Sequence, residues 1–215
     1  MKLAVIDPGS GNLASVRRAF ERAAQEEGLP LDLTVTTDAR DVRAADRIVL
    51  PGQGAFAACA RGLDALPDMK DALQESVIEK ARPFLGICVG MQLMAERGLE
   101  HGTTPGLAWI EGEIAPMDPR EDDTPLPLPQ MGWNALAPTR PHPLLEGLPA
   151  ESHAYFVHSY ALRGGNKAEL LATTAYGGPV TAVVGRDNLA GTQFHVEKSG
   201  PVGLRILRNF LRWAP

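Results

Sequence analysis

Short apolar runs alternate with amphipathic stretches along this chain, and that alternation predicts most of its elements. Lys2 to Ile6 is a nearly continuous apolar run of strand length. Leu13 to Glu27 then carries Leu13, Val16, Phe20, Ala23 and Ala24 at helical spacing, and Gly28-Leu29-Pro30 stops that helix. Leu31 to Thr36 alternates as a half-buried strand, and Arg47 to Leu50 is a third apolar run. Ala57 to Lys80 predicts helix, broken near Leu66-Pro67-Asp68. An apolar strand then ends at Cys88, with a helix expected from Gly90 to Arg97. Strand, helix, strand, short helix, strand is the order of an α/β fold with a mainly parallel sheet.

The second half reads differently. Glu111 to Asn134 is proline-rich and acidic, and proline can neither continue a helix nor donate to a central strand. A long surface excursion is expected there, of the kind that is often functional. At its far end, Met131 and Trp133 put large apolar side chains where exposure is expected, which suits a partner interface; burial beneath the loop is the alternative. His153 to Tyr160 predicts a strand rich in aromatic residues, and Gly164-Gly165-Asn166 a turn. Leu170 to Tyr176 and Val180 to Val184 predict a strand pair, and Leu189 to Phe194 one strand more. Pro201 to Trp213 predicts a final amphipathic helix with Leu204, Leu207, Phe210 and Leu211 on its core face. No repeat or linker interrupts the pattern, so residues 1–215 are expected to form one domain.

Composition removes several classes of function. A net charge of -5 gives no electrostatic reason to bind nucleic acid or an anionic membrane. The first apolar run meets Asp7-Pro8 too soon for a signal peptide, and the longest, Phe84 to Ala95, is too short to span a bilayer. Cys59 and Cys88, the only 2 cysteines, form neither a disulfide framework nor a metal-ligand spacing. A cytoplasmic location and no metal are expected.

Chemistry concentrates at Gly86-Ile87-Cys88-Val89-Gly90. Glycines two residues to either side of a cysteine, between strand and helix, are what a nucleophile elbow requires. Helix N–H groups beside the sulfur favour thiolate. A small buried hydrophobe is the plainer reading of Cys88, and the one preferred for Cys59. Pro51-Gly52-Gln53-Gly54 follows the third strand, as a plain loop or as a source of N–H donors for an oxyanion. Gly9-Ser10-Gly11 lacks the third glycine of a dinucleotide fingerprint and reads as a tight turn, with a role at an interface the alternative. A cysteine nucleophile needs a base and an orienting group, and His195 and Glu197 supply both. In an extended segment, side chains at i and i+2 face the same side. Gly52-Gln53-Gly54, Cys88 and His195-Val196-Glu197 all follow predicted strands, at the sheet edge where α/β sites form.

Gly86 to Gln92 together with Gln193 to Ser199 resembles the class I (triad) glutamine amidotransferases. Pro51 to Phe56, Met131 to Asn134 and Tyr155 to Tyr160 narrow the resemblance to the glutaminase subunits of imidazole glycerol phosphate synthases, in histidine biosynthesis. The resemblance implies an open, mainly parallel, flavodoxin-like sheet with helices on both faces and extra antiparallel strands. It implies that Cys88 attacks the glutamine side chain, with His195 as base and acid and Glu197 orienting it. Backbone N–H groups of Gly52, Gln53 and Val89 would hold the oxyanion. Gln92 and Glu100 would grip the α-amino acid end of glutamine, helped by His158, Ser159 and Tyr160. No cofactor is implied. Ammonia would pass to a (β/α)8-barrel cyclase subunit of the HisF type in a heterodimer, met through Asn12, Met131, Trp133, Tyr155 and Lys198. The chain departs from the family at Val196, usually proline, at Pro8, usually tyrosine, at Gln130, usually histidine, and at Gln53, usually apolar. A glutaminase of another pathway, an α/β cysteine peptidase and a silent binding module are the competing readings.

Overall fold

The computed structural model describes every residue from Met1 to Pro215. The first half is built as the periodicity predicts: β1 (Lys2–Ile6), α1 (Leu13–Glu26), β2 (Asp32–Thr36), α2 (Ala39–Ala44) and β3 (Arg47–Gly52). There follow α3 (Phe56–Asp64), α4 (Met69–Leu73), a π-helical turn at Gln74–Glu79, β4 (Phe84–Cys88) and α5 (Val89–Gln92). The second half supplies β5 (Arg97–Gly98), β6 (Thr104–Pro105), β7 (Glu113–Pro116), β8 (Arg120–Glu121), β9 (Thr124–Pro125), β10 (Gln130–Ala135) and β11 (Ala137–Pro138). The chain closes with β12 (His153–His158), β13 (Tyr160–Arg163), β14 (Leu170–Ala175), β15 (Pro179–Arg186), β16 (Leu189–Thr192) and α6 (Gly200–Arg212).

The main sheet has 8 strands in the order β11-β14-β15-β16-β4-β3-β1-β2. From β16 to β2 every neighbouring pair is parallel, and β11, β14 and β15 add antiparallel strands at one side. Strands β3 and β4 are buried almost throughout, as strands covered on both faces must be. A continuous core of 53 buried residues runs from Leu3 to Trp213. Phe20 of α1 meets Phe210 of α6 edge to face, with ring centroids 6.0 Å apart. No helix is long and apolar enough to cross a membrane.

Three expectations need correction, besides the single strand expected over His153 to Tyr160, which breaks at Ser159 into β12 and β13. The helix after Cys88 is not Gly90 to Arg97 but the single turn Val89–Gln92. Its continuation is diverted because the carbonyls of Leu93 and Met94 accept from the N–H groups of Leu107, Trp109 and Ile110, while Arg97 and Gly98 join a strand pair. The proline-rich stretch is not one loop. It contains β7, an interior strand of a 4-stranded sheet ordered β13-β7-β5-β6. Prolines are tolerated because Pro116 and Pro125 stand last in their strands. Finally, Gly203, Ile206, Leu207, Phe210 and Leu211 form the buried face of α6, whereas Leu204 is only partly covered.

Candidate active site

The elbow depends on three glycines from two strands and a helical turn. A Cβ on Gly90 would lie 1.7 Å from the carbonyl oxygen of Leu50 in β3, and one on Gly86 2.7 Å from the backbone of Gly90 and Met91. One on Gly52 would meet the Gly90 nitrogen at 2.8 Å. With β3, β4 and α5 this close, Cys88 is driven to φ 54°, ψ -113°, a strained conformation for a residue with a side chain. Cys88 is 4% exposed, at the C-terminal edge of the parallel strands. Because α5 is one turn long, it presents no long macrodipole to the sulfur.

His195 follows β16 and starts the 3-10 turn Val196–Lys198. It therefore meets Glu197 through a turn, not through the extended spacing expected. Nδ1 of His195 lies 2.7 Å from Oε1 of Glu197, and both side chains are buried. Burial by itself would lower the His195 pKa, but the neighbouring Cys88 sulfur and the hydrogen bond with Glu197 outweigh it and raise the group to about 9. Imidazolium is the form these neighbours select, with Nδ1 committed to Glu197 and Nε2 left for the sulfur.

A cavity of about 330 Å³ opens at Cys88 and is lined by Gln53, Gly54, Val89, Gln92, Glu100, Pro129, Val157, His158, Ser159, Tyr160 and His195. Gly52 lies beneath it, opposite Cys88 in the β3–β4 register. The Gln53 carbonyl accepts from Cys59 Sγ at 3.3 Å, and Ser10 Oγ lies 3.1 Å from the same sulfur. Cys59 is thus more than packing, and burial pushes its thiol pKa up, which leaves it unreactive. Gln92 Nε2 donates to the Tyr160 carbonyl at 3.0 Å and to Gln193 Oε1 at 3.1 Å, so only its oxygen remains for a ligand. Glu100 accepts from the Phe56 N–H, the start of α3, at 2.7 Å. His158 shares Nδ1 with the Tyr160 carbonyl at 2.9 Å, while its buried Nε2 has no partner. Burial lowers its pKa to about 4, so it faces the cavity neutral. No group of three or more His, Cys, Asp or Glu side chains could hold a metal ion.

The sequence signature of the class-I glutamine amidotransferases matches residues 4–213. The chain belongs to this family. It is 61% identical, over its whole length and 97% of the relative, to the imidazole glycerol phosphate synthase subunit HisH of Granulibacter bethesdensis. It is 56% identical to the same-named subunit of Brucella suis, with both chains fully covered. Among solved structures, a putative GMP synthase subunit from Thermoplasma acidophilum superposes with a TM-score of 0.64 at 22% identity, covering 99% of this chain and 92% of that one. That likeness is one of fold.

Away from the cavity, the amidotransferase carries an apolar face. Trp133 and Tyr155 stand opposite each other in the antiparallel pair β10–β12, ring centroids 6.0 Å apart. Met131 is 66% exposed and Trp133 55%, as the sequence led one to expect. Trp133 reaches toward Gly200, two residues from the exposed Lys198. Asn12 is exposed on the β1–α1 loop, where it caps α1 by accepting from the Ser15 N–H. Gln193, which no sequence motif singles out beyond its place two residues before His195, brings its Nε2 to 3.9 Å from the Cys88 sulfur.

Proposed function

We propose that this amidotransferase is the glutaminase subunit of an imidazole glycerol phosphate synthase. It hydrolyses glutamine to glutamate and ammonia for histidine biosynthesis. The observation that carries the reading is a strained, cavity-facing cysteine beside an imidazole that a buried carboxylate holds at 2.7 Å. The full-length relatives supply the pathway.

In this mechanism the Cys88 sulfur attacks the side-chain amide carbon of glutamine while its proton resides on His195 Nε2. The negative charge that develops on the amide oxygen is met by N–H groups of Val89 and of the Gly52–Gln53 segment. His195 then gives its proton to the departing nitrogen. Ammonia leaves, and a glutamyl thioester remains on Cys88. Water, deprotonated by His195, attacks the thioester, and glutamate departs as the sulfur is restored. Glu197 holds the ring in the tautomer that points Nε2 at the sulfur and takes no proton. Glu100 and Gln92 Oε1 face the α-amino end of the substrate, and neutral His158 offers Nε2 as an acceptor.

Ammonia passes to a (β/α)8-barrel cyclase subunit that docks on the face of Met131, Trp133, Tyr155, Lys198 and Asn12. Two large apolar side chains more than half exposed support that surface as an interface. Residues 1–215 act as one amidotransferase domain, which the continuous core supports, and a cytoplasmic location suits its two free cysteines. The test is acid quenching of the assembled enzyme during glutamine turnover, followed by peptide mapping. A glutamyl adduct is expected on Cys88 and none on Cys59. Turnover with the adduct elsewhere, or with none, contradicts the mechanism.

A further inference from the structure

Ser199 immediately precedes α6, where a serine ordinarily accepts from an N–H of the first helical turn. Its side chain makes no such bond. Its hydroxyl instead donates to the His195 carbonyl at 2.7 Å and accepts from the Tyr155 N–H at 3.0 Å. The His195 N–H in turn donates to the Tyr155 carbonyl at 3.1 Å. The backbone on both sides of the His195 α-carbon is thereby tied to β12, and Ser199 is wholly buried, at 0% exposure.

We propose that Ser199 is a positioning residue for His195. This rests on the reading of His195 as the base and acid of glutamine hydrolysis. His195 lies between the end of β16 and a single 3-10 turn, so no ladder of a neighbouring strand fixes its carbonyl, which within the turn accepts only from the Lys198 N–H at 3.1 Å. Bonds to Tyr155 and Ser199 take that part, and they aim the ring between Glu197 and Cys88. Removing the hydroxyl takes the acceptor from the part-buried Tyr155 N–H and leaves the buried His195 C=O with the Lys198 N–H alone, and such losses drive rearrangement. The helix itself does not depend on the hydroxyl. Its start is held by backbone bonds from Gly203 N to the Ser199 carbonyl and from Ser199 N to the Val196 carbonyl. A displacement of catalytic groups by about 1 Å costs on the order of 100-fold in rate.

The experiment uses the full chain assembled with its cyclase partner, as wild type, Ser199→Ala and Ser199→Cys. It measures kcat and KM for glutamine, the thermal unfolding midpoint, and the NMR titration of the His195 ring. Ser199→Ala is expected to lower kcat by on the order of 10- to 100-fold while KM changes by no more than about twofold. The His195 titration should move toward the ordinary histidine range as the ring loosens from Cys88 and Glu197, with His158 the third titratable group that faces it. Ser199→Cys, a weaker donor of similar size, should recover part of both, and it stands in if the alanine variant does not fold. An unchanged kcat, a loss confined to KM, or an unmoved ring titration in a folded variant overturns the proposal. A wild-type complex without glutaminase activity overturns instead the functional reading beneath it, and the ring titration still decides the clamp.

Discussion

His158 and His195 face one cavity, yet their surroundings drive their pKa values apart, to about 4 and about 9. For His158 burial dominates, and the bond to the Tyr160 carbonyl does not offset it. For His195 burial acts the same way, but Cys88 and Glu197 prevail. Each shift has a consequence for stability. The folded pKa of His158 lies below its unfolded value of 6.5, so its contribution is present above pH 6.5 and is lost as pH falls through about 4. That loss amounts to on the order of 3 kcal/mol. The folded pKa of His195 lies above 6.5, so its contribution is present below that pH and is lost as pH rises through about 9. In urea unfolding across this range, His158→Gln should flatten the acid limb and leave the alkaline limb in place. An acid limb as steep as wild type would contradict the assignment. At this scale the sequence made Cys88, His195 and Glu197 legible, because glycine spacing and a short polar motif mark them locally. Gln193 and Ser199 were not legible, since their partners are remote: Gln193 lies 105 residues from Cys88 and Ser199 44 from Tyr155.

Among the elements, the elbow is set by what cannot be added to it. A methyl group on Gly90 would collide with the Leu50 carbonyl, a backbone atom of β3 that cannot rotate aside. Gly90→Ala should therefore cost at least the roughly 1–3 kcal/mol typical of overpacking and reduce the alkylation rate of Cys88. A variant with the wild-type urea midpoint and wild-type alkylation would show that β3 and α5 are not so tightly apposed. The parallel strands and long helices were legible from apolar runs and helical spacing, which report directly on burial. The length of α5 and the strand β7 were not. Their boundaries are set by hydrogen bonds from residues 107–110 and by pairing with β13 across more than forty residues of chain, and no local pattern encodes either. The pairing of β12 with β10, and of β13 with β7, likewise splits a single predicted strand at Ser159. That split places Ser159 and Tyr160 in the cavity wall.

For the whole molecule, the parallel strands bring the elbow, the Gly52–Gln53 loop and His195 to one edge, and β12 of the ribbon β10–β12 lines the cavity there with Val157 and His158. Tyr155 belongs to both parts: its ring packs against Trp133 on the exposed face, and its peptide holds the His195 backbone. An apolar face so placed joins the surface proposed for the cyclase to the residues proposed for glutamine hydrolysis. The most direct test of that joint reading is product formation by the assembled enzyme carrying Cys88→Ala, supplied with glutamine or with ammonium salt. Glutamine-dependent formation of imidazole glycerol phosphate should vanish while ammonia-dependent formation stays at the wild-type rate. Glutamine-dependent product from the Cys88→Ala enzyme would contradict it.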